Sequence, residues 1–122
     1  MTARRLDGTA WAARMRAEVQ PRVEAFTGRH RRPPGLAVVL AGEHPASEFY
    51  VRNKIATVNG HGCRGELHRL PGNASVEDAL ALVNRLNHDD TVDGILVQSP
   101  LPEGMGAFTD LRQVAGLLPP GE

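Results

Sequence analysis

"GLAVVLAGEHPASEFYVRNKIATVNG", Gly35–Gly60, decides the fold. Its first part is a short, continuous apolar run closed at both ends by glycine, the pattern of a strand buried on two faces. Pro45 then stands at a helix-start position, and the spacing predicts a helix to about Asn59, stopped by Gly60 and Gly62. Downstream, "CRGELHRL" reads as a weaker strand. "SVEDALALVNRLNHD" reads as a helix with Ser75 as N-cap and acidic residues in its first turn, and Val92–Gln98 as another buried strand. Upstream, Asp7 is the N-cap of a helix over about Gly8–Gly28, which Pro21 is expected to kink or divide. A last helix is expected over Thr109–Leu118, after the strand-breaking "SPLPEGMG". Strands alternating with helices imply an α/β domain, three-layer-like, with a mainly parallel sheet flanked by helices. Such sheets bind ligands beyond the carboxyl ends of their strands, which here means Gly42–Ser47 and Gln98–Pro102.

The chain of 122 residues fits one domain, large enough to bury roughly two-thirds of its unfolded surface. Its 14 basic and 14 acidic residues balance, so there is no electrostatic case for nucleic acid or an anionic membrane as partner. The run Arg29-His30-Arg31-Arg32 precedes Pro33-Pro34 and reads as a solvated loop. Cys63 is the sole cysteine, which excludes an internal disulfide. No segment approaches the ~20 apolar residues of a membrane span, and no signal peptide is recognisable; the cytoplasm is the expected compartment.

Of the 14 basic residues, 13 are arginine, and Lys54 is the only lysine. An arginine does not give up its proton in a protein, whereas a partly buried lysine can, and it can then act as base or nucleophile. At about 100° per residue, Val51, Ile55 and Val58 form an apolar stripe. Tyr50, the only tyrosine, and Lys54 lie along one border of it, with Ser47 one turn earlier. Desolvation at such a border disfavours the charged form of an amine. Gln98 ends a buried strand with an amide that both donates and accepts. Two other patterns carry less. Gly60-His61-Gly62-Cys63-Arg64-Gly65 matches G-x-G-x-x-G but follows a helix and precedes a strand, the reverse of a dinucleotide site. His61, Cys63 and His68 lack paired ligand spacings, so no metal is expected.

"HPASEFYVRNKIATVNGHG" and "VDGILVQSPLP", together with "LDGTAWAARM" and "GLAVVLAG", closely resemble the bifunctional methylenetetrahydrofolate dehydrogenase/methenyltetrahydrofolate cyclohydrolase family (FolD type), in the family's order over nearly the whole chain. The resemblance implies a small-molecule folate substrate, a tetrahydrofolate derivative, with Tyr50 stacking on it. It also implies Lys54 at the reacting carbon and Gln98 hydrogen-bonded to the lysine. Ser47, Pro100, Leu101 and Pro102 would join Tyr50, Lys54 and Gln98 in touching substrate. Residues 1–122 would be the N-terminal, folate-binding catalytic domain. The NADP site of the complete enzyme would lie in a C-terminal Rossmann domain that this chain lacks, so dehydrogenase activity is not expected of it alone. A Rossmann domain or subunit, or a second copy in a homodimer, would be the protein partner. The family's aspartate-bearing "D-V-D-G" segment is likewise absent, and Ser99 stands where the family usually carries leucine. A non-catalytic folate-binding or docking module, and a Schiff-base enzyme using Lys54, are the alternative readings.

Overall fold

The computed structural model describes residues 2–98 and 100–102, in the order α1 (Gly8–His30), β1 (Gly35–Ala41), α2 (Pro45–Gly60), β2 (Arg64–Leu70), α3 (Val76–Asn87) and β3 (Gly94–Val97). The helix expected over Thr109–Leu118 lies outside the described residues. The three strands form one parallel sheet in the order β2-β1-β3, as the alternation of strand and helix required. Strand β1, apolar on both faces, takes the centre, and Val38, Val39 and Leu40 are almost wholly buried. Each such side chain contributes about 1.5–3 kcal/mol on leaving water, which anchors the sheet.

Period-two alternation along β1 then sorts the layers. Val38 and Leu40 pack on Val51 of α2, with Ile55 and Leu96 beside them. Ala37 and Val39 face Leu82 and Leu86 of α3, and Ala41 joins Ala79 and Val83 on that face. Helix α3 begins at the expected Ser75, whose hydroxyl accepts from the Asp78 amide while the Asp78 carboxylate accepts from the Ser75 amide.

Helix α1 departs from expectation by running through Pro21 as one 23-residue helix. Proline leaves the carbonyl four residues back, on Ala17, without its ladder bond. Ala17 and Pro21 are both exposed, so water can take that carbonyl and the helix need not break. It also passes Gly28 and ends at Arg31, in the left-handed region at φ 56°, with the Phe26 and His30 rings 4.3 Å apart on the last turns. At the amino end of the sheet, Gly35 is required by contact: a Cβ there would collide with the carbonyl oxygen of Thr91.

Candidate active site

Helix α2 runs back along the sheet from the carboxyl end of β1, so its first turns stand beside the carboxyl end of β3. The pairing of β1 with β3 sets Val39 opposite Val97, and the Gln98 amide donates to the Val39 carbonyl at 2.9 Å. That bond extends the ladder one residue past the strand and fixes where the Gln98 side chain starts. From α2, the half-buried Lys54 reaches across and its Nζ donates to Gln98 Oε1 at 2.6 Å. Two residues 44 apart in sequence thus meet at the carboxyl end of the sheet.

Tyr50 lies one helical turn before Lys54 and is 57% exposed, with its ring edge-on to Phe49 at 5.9 Å. An exposed ring face beside an amine is available for stacking. Tyr50 and Lys54 line one cavity of about 330 Å³, together with Leu36, Asn53, Thr57 and Val58. Among the described residues Lys54 forms no ion pair: its partner is a neutral amide oxygen. The nearest acid on its helix, Glu48, faces away and is held by Arg69 of β2, whose guanidinium keeps the carboxyl below the usual carboxylate range. The amine is therefore set apart from the ion pairs that line the other flank of α2.

The remaining residues marked in the sequence divide. Ser47 is on the inner face of α2, only 1% exposed, and its hydroxyl has no hydrogen-bond partner among the described residues. It lies beneath Tyr50 and Lys54 rather than in the open row with them. Pro100 is exposed. Leu101 packs against the Ala41, Ala74, Ala79 and Val83 cluster on the α3 face, and Pro102 approaches Gly42. None of these three is among the residues lining the Tyr50–Lys54 cavity. Leu36, Asn53, Thr57 and Val58 were not marked. The signal for three of them was present, since positions three, seven and eight beyond Tyr50 share its side of a helix.

Gly60–Gly65 spans the turn from α2 into β2, and Gly65 is packed against Ile55 within the sheet layer. A dinucleotide needs the opposite order, a strand feeding glycines into a helix N-terminus. Among the described residues this glycine pattern therefore does not form a dinucleotide site. No group of three or more His, Cys, Asp or Glu residues among them could hold a metal, and burial pushes the Cys63 thiol up from its ordinary value.

A family model described as "Tetrahydrofolate dehydrogenase/cyclohydrolase, catalytic domain" matches residues 6–115. The chain belongs to that family. A bifunctional protein FolD of Caulobacter sp. (strain K31) is 50% identical over 101 residues, covering 83% of this chain and 34% of that protein. That of Acidiphilium cryptum is 50% identical over 114 residues, covering 93% and 39%. Among solved structures, the silkworm (Bombyx mori) 5,10-methylenetetrahydrofolate dehydrogenase superposes with a TM-score of 0.83 at 31% identity, over 98% of this chain and 40% of that one. The Trypanosoma brucei methylenetetrahydrofolate dehydrogenase-cyclohydrolase, solved with NADP and an inhibitor, gives a TM-score of 0.80 at 30% identity, over 98% and 40%. The chain thus spans between a third and two-fifths of the length of these family members.

Proposed function

We propose that this chain is the folate-binding catalytic domain of a methylenetetrahydrofolate dehydrogenase/methenyltetrahydrofolate cyclohydrolase, with Lys54, Tyr50 and Gln98 as its catalytic group. The observation that carries this reading is the 2.6 Å hydrogen bond from Lys54 Nζ to Gln98 Oε1. It joins the two motifs on which the family resemblance rests. Tyr50 would stack on the substrate and set the reacting carbon near the amine.

The methenyl carbon of the substrate sits in a cationic amidinium. A neutral amine beside it avoids like-charge repulsion and has the lone pair that a guanidinium lacks. Water adds its oxygen to that carbon while Lys54 takes the proton. As the adduct's hydroxyl becomes the formyl carbonyl it releases its remaining proton to solvent, the ring C–N bond breaks with the electron pair staying on nitrogen, and Lys54 returns its proton to that nitrogen, leaving the formyl product. Gln98 holds the amine through one N–H, so its lone pair can point at the water. A permanently charged arginine at position 54 could do neither proton transfer, which accounts for the lone lysine.

Hydride transfer to NADP is assigned to the complete enzyme. The partner would be a Rossmann domain or subunit, or a second copy of the chain, and exposed Trp11, Met15 and Val19 along α1 are apolar surface that a partner could cover. The same reading places the enzyme in cytoplasmic one-carbon metabolism, with purine biosynthesis among its consumers.

The test is the rate of loss of methenyltetrahydrofolate absorbance with the chain, with Lys54→Met, and with buffer alone. The unaltered chain should accelerate hydrolysis and Lys54→Met should lose about 10²–10⁴-fold of that acceleration, the usual scale of general acid–base catalysis. Equal rates for the chain and Lys54→Met overturn the lysine assignment.

A further inference from the structure

The cavity that holds Tyr50 and Lys54 does not stop at the amine: it continues along α2 past Asn53 to Thr57 and Val58, with Leu36 of β1 at its inner wall. Thr57 lies three residues beyond Lys54, about 4.5 Å further along the helix axis. Leu36, Val58 and the Tyr50 ring make the walls mostly apolar, so the two uncharged polar side chains among them stand out chemically.

Both are spare. Thr27 of α1 spends its hydroxyl on the Val23 carbonyl one turn back, at 3.0 Å, but Thr57 makes no such bond among the described residues. Asn59, on the same helix as Asn53, spends its Oδ1 on the Gly65 amide of β2 at 2.9 Å; the Asn53 carboxamide has no side-chain hydrogen bond among the described residues. Helix α2 therefore uses its second asparagine to fix its own end and leaves the first, which is exposed, in the cavity lining with the amine.

We propose that Asn53, with Thr57 beside it, is a specificity-determining pair that binds a neutral donor–acceptor edge of the substrate within a helical turn or so of the reacting carbon. This rests on the folate reading above. A carboxamide donates and accepts side by side, which matches an amide or lactam edge and favours neither a carboxylate nor a cation. A folate offers that edge in two places, the pterin lactam and the amide that joins the benzoyl group to glutamate. Asn53 touches substrate without moving a proton, so its loss weakens binding and leaves the chemical step to Lys54.

The experiment is titration of the chain with 5,10-methenyltetrahydrofolate, comparing unaltered protein, Asn53→Val, Thr57→Val and Lys54→Met, with helix content checked by circular dichroism. Asn53→Val should raise Kd by up to about ten-fold, the scale of one hydrogen bond between neutral groups at an exposed position. Thr57→Val, which removes the hydroxyl at constant volume, should raise it several-fold, and Asn53→Gln should recover part of the loss. Lys54→Met should lose hydrolysis. Repeating the titration with 5,10-methenyltetrahydropteroate, which lacks the benzoyl amide, identifies the edge: a penalty that disappears places it at the amide, and one that persists places it at the lactam. If the unaltered chain binds and both valine variants bind equally well, the inference is overturned and the folate reading stands. If the unaltered chain does not bind, the folate reading is overturned for this chain and the inference falls with it.

Discussion

The two ends of β3 are tied off by different chemistry. At the amino end, Arg32 forks onto both Asp93 oxygens at 2.7 and 3.0 Å, and the same carboxylate accepts from the Gly35 amide at 2.8 Å. Charge-assisted, bidentate bonds of this kind are the strong ones, and here they lock the entry to β1 against the entry to β3. At the carboxyl end, the bond between α2 and β3 among the described residues runs from an amine to a neutral amide, beside an open cavity. The first arrangement serves stability, and the second leaves an amine beside open space, where the proposed hydrolysis would use it.

The sharpest way to break this comparison is at Gly35. Gly35→Ala forces a Cβ onto the Thr91 carbonyl and should cost about 2–3 kcal/mol in denaturant unfolding, as overpacking does. A loss near zero would mean the amino end is looser than its contacts indicate.

Asp93→Ala should come next, at about 1–3 kcal/mol, because it strands Arg32 and the Gly35 amide together. It should also change the acid limb of stability. The Arg32 hydrogen bond, helped by the Gly35 amide and partly opposed by burial, holds the Asp93 carboxyl below its ordinary value. The unfolded chain therefore binds this proton at higher pH than the folded one. The contribution is complete above the unfolded value of about 3.9 and drains away as pH falls through the lower folded value. Unfolding measured from pH 6 downward should show a shallower acid loss in Asp93→Ala than in the unaltered chain.

Ser75→Ala removes one half of the α3 capping box and should cost about 1 kcal/mol. The smallest stability effect is expected at the carboxyl end itself. Lys54→Met keeps the aliphatic stem and gives up one neutral-partner bond, so it should shift unfolding by less than about 0.5 kcal/mol while abolishing the proposed hydrolysis. A Lys54→Met variant as unstable as Asp93→Ala would erase the distinction between the two ends.

Much of this was legible in the sequence because the signals were local. The apolar run of β1, Pro45 at the start of α2, and Ser75 followed by acidic residues each declare an element within a few residues. The continuity of α1 through Pro21 was not legible. The cost of a proline depends on whether the stranded carbonyl can reach water, and that is a property of the assembled surface.

The sequence by itself marked the residues to which the proposed chemistry is assigned: a single lysine among arginines, one turn after a single tyrosine, and a glutamine at the end of a buried strand. Only the tertiary structure decided how they meet. The parallel register of β1 with β3 sets Gln98 where its Oε1 lies 2.6 Å from Lys54 Nζ, while Ser47 is buried on the inner face of α2 and Leu101 packs on the α3 face. A helix period fixes which side a residue faces, but what stands opposite that side depends on strand order and register, which are set by packing over the whole sheet.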